Sequence, residues 1–588
     1  MKRSLFFSAI ATVVVVLLLI GVGGFYWINS QSPLSLLRGG TTNTPAAAIF
    51  VPKQAPAMVS LLVNPEKLES LRQLAARPSD RRQSRQELER FKSSLLASSS
   101  LDYRQDIQPW LGEEVTLALT SPDIDRDATN GNQPGYLMVL TSRNPAKSRE
   151  FLQLLFSQRA IAGRDLVSET YQGVNIFSDS ESSNSRLPTP VRAGLETRPY
   201  GFPKLVGAAV GDRFILFANH PKVLREAINN VQAPDLSLND SAQYQHALSL
   251  LPAERIGIIF LNLPQVTTWL GKEPQEQIYD SQIIALKLNP QGIVAETSIA
   301  AADRTELAPA GKMLSEPVQA LQYLPTTANL AIAGLDLSHL QNTNLNQLWR
   351  QITTVLSGSS NDAISRSIAQ PLAKLQDSWG IDISQDIFSW VVGEYALGML
   401  PQKDTNPTAD WIFVAEKSEE TDLAIERFNV IAENRGLSIT PLFSNEQKIY
   451  AWMQINPVSS SASELGDRSL LTLKAKVQGV YTSIDKYEIF TSSVAAMDAA
   501  LKAAKTDSLL KSSQFQSAIK AIPQPNQGYL YLNLPRSREI LERQFPLVKL
   551  LEVAAKPFFD KTQSITASSY GDRTDVLQGS IVLRLGSN

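Results

Sequence analysis

The sequence predicts an α+β protein in which one N-terminal transmembrane helix precedes two tandem, homologous domains, each with a mainly antiparallel sheet and packed helices. Three observations indicate this fold class. A long uncharged apolar run lies near the N-terminus, several sequence blocks occur twice in the same order, and strand-like segments come in pairs joined by short turns. The chain of 588 residues is also too long for one hydrophobic core.

Composition limits the classes of function. Hydrophobic residues at 43% and charged residues at 19% are typical of a globular chain. A net charge of −2 gives no general attraction to phosphate, so we expect no nucleic-acid partner. The chain has no cysteine, which excludes disulfides, thiolate nucleophiles and cysteine-ligated metal sites.

Residues 1–30 are predicted to form a transmembrane signal-anchor helix. The uncharged run from Ser4 to Ile28 can cross a hydrocarbon core of roughly 30 Å at about 1.5 Å per residue. Lys2 and Arg3 would keep the preceding end in the cytoplasm, and the aromatic cluster FYW is typical of a membrane interface. A cleaved signal peptide is the alternative, although its apolar region is usually only about 7–15 residues.

The segment after this helix differs sharply in composition. Residues 31–48 are rich in Ser, Thr, Gly and Pro and are therefore predicted to be a flexible linker. The orientation of the helix places the rest of the chain outside the cytoplasm, with the membrane as a partner through the N-terminal helix.

Several blocks of the remaining chain are repeated. The stretch SAQYQHALSLLP from Ser241 is matched by SSQFQSAIKAIP from Ser512, and each is followed at the same distance by LNLP. Further upstream, QDIQPWLGEE from Gln105 is matched by QDIFSWVVGE from Gln385. Because the blocks keep their order, we interpret the chain as a tandem duplication.

This interpretation sets the domain boundaries. Repeat domain 1 covers residues 49–301, a charged and proline-containing linker covers 302–320, and repeat domain 2 covers 321–588. Each copy is long enough to have its own core.

Within a copy, strands and helices follow from hydrophobic periodicity. The stretches LVGAAVGDRFILFAN and IIALKLNPQGIVAETSI each contain two alternating segments separated by a turn, which is typical of a hairpin. Hairpins favour antiparallel pairing. The repeated helix places apolar residues at positions i, i+3, i+4 and i+7, so one stripe should pack against the sheet.

Pairs of equivalent positions are the candidate sites that the duplication singles out. Core packing and strand-end hydrogen bonding are the favoured roles, and ligand binding is the alternative. The pairs are Trp110 with Trp390, Phe217 with Phe490, Tyr244 with Phe515, and Asn262 with Asn533.

The sequence contains no motif that predicts catalysis. No HExxH, phosphate-binding loop or GxSxG motif occurs in the globular part of the chain. The three histidines, His220, His246 and His339, have no histidine at the matching place in the other copy. We therefore predict no catalytic, cofactor-binding or metal site, no cofactor and no enzymatic activity.

The anchor, the stretch FVPKQAPAMVSLLVNPEKL, the two LNLP strands, the absence of cysteine and the chain length together resemble the domain-of-unknown-function 3352 family, found chiefly in cyanobacteria and some other bacteria. The resemblance covers nearly the whole chain. It implies a location in the periplasm or thylakoid lumen, and it implies no activity, cofactor or catalytic residue.

The leading hypothesis for function is a membrane-anchored, non-catalytic binding or assembly module with an unknown protein or lipid partner. A hydrolase without a recognisable motif is one alternative, and paired carboxylates in one copy only would indicate it. A lipid or pigment carrier is the other, and a large apolar cavity would indicate it.

Overall fold

The structure is a computed structural model of the whole chain and divides into two compact units. Unit 1 comprises Met1–Pro290 and Ala295–Thr305, and unit 2 comprises Gln291–Val294 and Glu306–Gly586. The structure describes residues 40–64, 103–127, 133–161, 163–181, 205–269, 278–289, 292–302, 307, 311–338, 389–401, 410–444, 446–459, 471–537 and 562–585.

The described part of unit 1 contains nine whole strands and most of a tenth, β10, whose first three residues belong to unit 2. These strands pair in the order β4-β5-β6-β7-β3-β2-β1-β8-β9-β10. The pairs from β4 to β9 are antiparallel. The strands are β1 Ala57–Leu61, β2 Leu111–Ser121, β3 Gly135–Ser142, β4 Arg164–Tyr171, β5 Val174–Glu181, β6 Val206–Val210, β7 Phe214–Ala218, β8 Gly257–Asn262, β9 Tyr279–Asn289 and β10 Gly292–Ala301.

Four α-helices accompany these strands in the described part of unit 1. They are α1 Pro145–Ile161, α2 Pro221–Gln232, α3 Ala242–Ser249 and α4 Leu263–Trp269. Shorter helical turns are a π-helix at Tyr103–Ile107 and 3-10 helices at Ala46–Ile49, Pro234–Leu236 and Leu238–Asp240.

Unit 2 has the same strand order ten places later. Its strands pair as β14-β15-β16-β17-β13-β12-β11-β18-β19-β20, all antiparallel. They are β11 Leu330–Leu335, β12 Glu394–Leu400, β13 Asp410–Glu416, β14 Leu437–Ser444, β15 Gln447–Ser459, β16 Leu471–Ile484, β17 Tyr487–Thr491, β18 Tyr529–Asn533, β19 Thr562–Tyr570 and β20 Val576–Leu585.

The described helices of unit 2 also correspond to those of unit 1 in their order along the chain. They are α5 Thr421–Asn434, α6 Val494–Lys505 and α7 Ser513–Ile519, with 3-10 helices at Gln319–Tyr323 and Leu509–Lys511.

Helices cover both faces of the sheet in unit 1. Successive strand residues point to opposite faces, and β6 shows the division. Val206 and Ala208 pack in the core that includes α2 and α3. Gly207 faces the other way, where Phe156 of α1 stacks on Phe177 at 5.7 Å between ring centroids. The sheet is therefore the middle layer of the unit.

Local sequence explains the hairpin between β4 and β5. Its two-residue loop is Gln172 and Gly173, whose φ angles are 49° and 77°. A loop with positive φ at both positions is a type I′ turn, which matches the twist of antiparallel strands and favours glycine. The turn therefore fixes the register of this hairpin.

The predicted fold class was wrong. Each unit is mostly a large antiparallel sheet with helices packed on it, rather than an α+β domain behind a transmembrane helix. The physical reason is that antiparallel pairing continues from strand to strand across each unit, whereas each helix covers only the few strands that it contacts.

The predicted localisation as a single-pass membrane protein with a transmembrane signal anchor was also wrong. No helix among the residues that the structure describes is long and apolar enough to cross a membrane. The proposed helix itself, residues 1–30, lies outside the described residues.

Candidate functional site

A buried glutamate is the central polar group of unit 1. Glu114 lies on β2, where its side chain is surrounded by the core and is only 7% exposed. Its carboxylate accepts hydrogen bonds from the backbone N–H groups of Ala46 and Ala47, at 2.8 and 2.9 Å, and from the Thr116 hydroxyl at 2.9 Å. The carboxylate therefore holds the first turn of the 3-10 helix Ala46–Ile49 against the sheet.

Unit 2 repeats this arrangement with Glu394 at the start of β12. Its carboxylate accepts a bond from the backbone N–H of Ala320, at 3.2 Å, in the 3-10 helix Gln319–Tyr323. The Tyr487 hydroxyl donates to the same oxygen at 2.5 Å. We call these two places the glutamate clamps, defined by Glu114 in unit 1 and Glu394 in unit 2.

The backbone of each clamp is fixed by the next strand. The N–H of Glu114 donates to the Thr141 hydroxyl at 2.9 Å, and the N–H of Glu394 donates to the Glu416 carboxylate at 2.9 Å. Glu416 also pairs with Lys486 at 3.0 Å, whereas the Lys486–Glu394 distance is 3.9 Å. Two carboxylates therefore share one lysine in unit 2.

Burial and bonding shift the pKa values in opposite directions. Burial raises the pKa of Glu114, and the bonds from Ala47, Thr116 and Ala46 only partly offset it. Burial also acts to raise the pKa of Glu416, but the bonds from Glu394 and Lys486 lower that pKa overall.

These geometries favour a structural role for the carboxylates. A general acid must carry a proton near the working pH, but the lowered pKa of Glu416 keeps it ionised beside Lys486. Glu394 is bonded to both a helix N–H and a phenol. The paired carboxylates of unit 2 therefore resemble an ion-pair network more than a catalytic dyad.

Each of the predicted tryptophans packs against a phenylalanine of its own unit. Trp110 is 1% exposed and contacts Phe151 at 5.0 Å between ring centroids. Trp390 is 2% exposed and contacts Phe490 at 6.2 Å. Phe217 and Phe490 are both 6% exposed. All four side chains belong to the packed interior of their own unit.

The repeated helix begins in the same way in both units. The Ser241 hydroxyl accepts from the N–H of Tyr244 at 3.5 Å, and the Ser512 hydroxyl accepts from the N–H of Phe515 at 3.4 Å. Tyr244 and Phe515 are buried, and each ring meets an aromatic side chain of β8 or β18 edge-on. Ser241 is therefore the N-cap residue of α3, and Ser512 is that of α7.

The predicted asparagines end matching strands. The side-chain oxygen of Asn262 accepts from the N–H of Gln265 at 3.3 Å, and that of Asn533 accepts from the N–H of Arg536 at 3.2 Å. Each amide therefore caps the helical turn that follows its strand.

The histidines that the structure describes serve local structure or lie at the surface. The Nδ1 atom of His220 accepts from the N–H of Lys222 at 3.1 Å and caps α2. His246 lies in the last turn of α3, and His339 lies outside the described residues. Among the described residues no group of three or more histidine or acidic side chains could hold a metal ion.

Sequence reasoning missed the glutamate clamps. Glu114 and Glu394 end the matched blocks QDIQPWLGEE and QDIFSWVVGE, so their equivalence was visible. Their partners were not visible, because Ala46 and Ala320 are distant in sequence and donate only through the backbone.

Comparisons with known proteins give a family but no activity. The family model described as "Protein of unknown function (DUF3352)" matches residues 10–585. No curated protein is significantly similar to the chain.

Two solved structures resemble parts of the chain. Crystal form I of TP0453 has 7% identity and a TM-score of 0.23, covering 45% of this chain and 81% of that chain. Crystal form IV of TP0453 has 10% identity and a TM-score of 0.22, covering 44% and 80%. TM-scores this low support no conclusion about fold or function. The family match, in contrast, spans nearly the whole length of this chain. The chain belongs to the DUF3352 family of proteins of unknown function.

Proposed function

We propose that the chain is a non-catalytic protein-binding module that receives an extended segment of a partner protein at the outer strands of its sheets. The observation that supports this proposal is the exposure of large apolar side chains on β4 and β14. Each of these strands pairs on one side only among the described strands.

The outer strand of unit 1 is exposed on both faces. Leu166 is 42% exposed and Val167 is 51% exposed. Since neighbouring strand residues point to opposite faces, β4 exposes apolar surface on each of its two faces at this point. A strand with a free backbone edge and exposed apolar residues is a template for pairing with another chain.

Unit 2 presents a similar edge with a different apolar residue. Phe443 of β14 is 77% exposed, and its backbone pairs with Lys448 of β15 on the inner side. Pro441 lies in the same strand and has no N–H to donate. Strand addition at unit 2 would therefore be shorter than at unit 1.

Site-specific photocrosslinking in living cells tests this proposal. A benzophenone amino acid replaces Leu166 or Phe443 in the full chain, and the same amino acid at the exposed Glu254 is the control. We expect discrete protein adducts at the two edge positions and none at Glu254.

A second pair of variants separates binding at the strand edge from any role of the paired carboxylates of unit 2. Val167→Lys places a charge on the free edge and should abolish the Leu166 adduct. Glu416→Gln should leave that adduct unchanged, because Glu416 is not part of either edge. Adducts of equal yield at Glu254, or no adduct at either edge, would refute the proposal.

A further inference from the structure

The hairpin turn decides which backbone groups of β4 face the free edge of the sheet. Tyr171 and Val174 flank the two-residue loop and are paired, and the residues that close such a loop exchange hydrogen bonds. Bonded and non-bonded pairs alternate from there along the hairpin. Every second residue of β4 therefore turns its backbone N–H and C=O away from β5, and we call these the outward positions: Arg164, Leu166, Ser168 and Thr170.

The hydrogen bonding of β5 supports this assignment. Leu166 lies opposite Asp179 of β5, and the N–H of Asp179 donates to the carbonyl of Leu205, which leads into β6. The backbone of Asp179 thus faces β6 rather than β4. The N–H and C=O of Leu166 face the free edge, where no described strand pairs with them.

Unit 2 has a proline at the same place on its own edge. Its hairpin has a loop of the same length, closed by Ser444 and Gln447, and Pro441 lies three residues before this closing pair. Ser168 lies three residues before the closing pair in unit 1. Proline has no N–H and is tolerated where that group would face solvent. A strand added to β14 would therefore lose a hydrogen bond in its middle, whereas β4 has an N–H at every outward position.

The exposed side chains of β4 set the composition that an added strand needs. Leu166 and Val167 are 42% and 51% exposed and lie on opposite faces. Asp165 is exposed on the same face as Val167 and forms no ion pair with any described residue. The other carboxylate of β4, Glu169, is paired with Arg225 of α2 at 2.8 Å. The charge of Asp165 is therefore the one that β4 offers to a partner.

We infer that the segment received by β4 runs antiparallel to it and carries two consecutive apolar residues followed by a lysine or an arginine. In an antiparallel pair the residue opposite Val167 comes first, and the next two lie opposite Leu166 and Asp165. The apolar residues then cover both exposed apolar side chains, and the basic residue meets a carboxylate of opposite charge. This inference rests on the proposed function and names the partner segment for the edge of unit 1.

The β4 strand of a second copy of the chain does not fit this description. Its apolar residues Leu166 and Val167 are followed by Ser168 rather than by a basic residue. Two copies paired in this register would leave Asp165 without an opposite charge. The antiparallel direction itself follows from the slightly greater stability of antiparallel pairing per residue.

Two synthetic strands test the charge complementarity. The purified full chain carries a benzophenone amino acid in place of the exposed Thr170 and is illuminated with the peptide Thr-Thr-Val-Ile-Lys-Thr-Thr or with the same peptide in which Glu replaces Lys. The lysine peptide should reach half-maximal adduct at a concentration about 2–30-fold lower, because an attractive cross-strand pair becomes a repulsive one in the glutamate peptide. Sodium chloride at about 1 M should reduce this difference by screening.

Charge reversal on the chain gives the matched comparison. Asp165→Lys should invert the preference, so that the glutamate peptide is captured at the lower concentration. Asp235→Lys is the control, since Asp235 is an exposed acid in the 3-10 helix Pro234–Leu236, away from the edge, and it should keep the preference for lysine. Equal capture of the two peptides, or a preference that Asp165→Lys leaves unchanged, would overturn the inference even if both peptides bind the edge.

A proline variant tests whether the captured peptide pairs with the backbone of β4. Ser168→Pro gives unit 1 the residue that unit 2 has at this place, so β4 should still form, but capture of both peptides should be lost. Ser168→Ala keeps the N–H and should capture both as before. Undiminished capture by Ser168→Pro would overturn the inference, because the peptide would then not be added as a strand.

Failure of the inference is distinct from failure of the proposed function. Discrete protein adducts at Leu166 in cells, together with peptide capture that does not depend on charge, would overturn only the composition inferred here. Capture of neither peptide and no adduct in cells would overturn both. An adduct between two copies of the chain at Thr170, formed without peptide, would overturn the inference by showing that a second copy occupies the edge.

Discussion

At the scale of single residues, the two units differ at one position that is a glycine in unit 1 and a tyrosine in unit 2. Gly207 pairs with Phe217 in unit 1, and Tyr481 pairs with Phe490 in unit 2. A Cβ atom on Gly207 would lie 2.8 Å from the Phe156 ring. In unit 2 the ring of Tyr481 fills this space, stacks on Trp452 at 4.8 Å, and its hydroxyl accepts from Asn429. In unit 1 the small Gly207 leaves this space to the neighbouring Phe156, whereas in unit 2 the large Tyr481 fills it itself.

This exchange predicts the effect of enlarging Gly207. Gly207→Ala should lower the free energy of unfolding by about 1–3 kcal/mol, because the new methyl group overlaps Phe156 and Leu152. Urea unfolding followed by circular dichroism measures the change. The double variant Gly207→Ala with Phe156→Leu should recover part of the loss. If Gly207→Ala lowers the free energy of unfolding by the same amount with and without Phe156→Leu, the packing explanation is wrong.

The clamp of unit 1 predicts a pH dependence. The pKa of Glu114 is raised above its ordinary value of 4.5, chiefly by burial. Its contribution to stability is therefore fully present below that ordinary value and is lost as the pH rises through the raised pKa.

The variant Glu114→Gln cannot titrate and removes this dependence. We expect the free energy of unfolding of wild type, relative to Glu114→Gln, to be greater at about pH 5 than at about pH 8. Urea unfolding of both proteins at the two pH values measures the difference. A constant difference would show that Glu114 has the same pKa in the folded and unfolded chain.

At the scale of secondary-structure elements, the repeated helix is buried to different depths in the two units. Ile519 of α7 is 3% exposed, whereas Leu248 of α3 is only partly buried. The same apolar stripe thus contributes unequally to the two cores.

This difference predicts unequal effects of truncation. Ile519→Ala should cost about 2–5 kcal/mol through the cavity that it leaves, and Leu248→Ala should cost less, because less of its side chain is removed from the core. Denaturant unfolding with a common slope measures both values. An equal or larger loss for Leu248→Ala would show that partial exposure does not govern the contribution of this helix.

At the scale of the whole molecule, the two units have separate cores. Leu224 lies in the core of unit 1 and Ile519 in that of unit 2. We expect the losses caused by Leu224→Ala and Ile519→Ala to add within ~0.5 kcal/mol in the double variant, since the two residues share no partner. Unfolding of the single and double variants measures the coupling, and a coupling well above that value would mean that the units unfold as one.

Segments predicted as linkers also contribute to the units. Thr41 pairs with Arg255, and Ala47 and Ala48 are fully buried, although all three belong to the predicted linker 31–48. In the segment 302–320, Leu314 pairs with Asn526. Composition indicates flexibility, but backbone pairing with a distant segment does not depend on composition.

The sequence by itself determined the positions of most strands and the repeated helix, because alternation and the 3.6-residue stripe are local patterns. It missed β4, whose residues Arg164–Tyr171 are largely exposed and so do not alternate. It also predicted the wrong fold class. The periodicity of a helix shows which of its faces is buried, but it does not show how much of the sheet that helix covers.

Only the tertiary structure decided which polar groups meet. Glu114 accepts hydrogen bonds from the backbone of Ala46 and Ala47, and the residues around Glu114 in the sequence do not indicate these partners. The Nε atom of Arg255 has no hydrogen-bond partner, because no acidic side chain of the described residues reaches it. Both outcomes depend on strand pairing between distant parts of the chain. Local sequence specifies the face to which a side chain points, whereas the paired neighbours decide what it meets there.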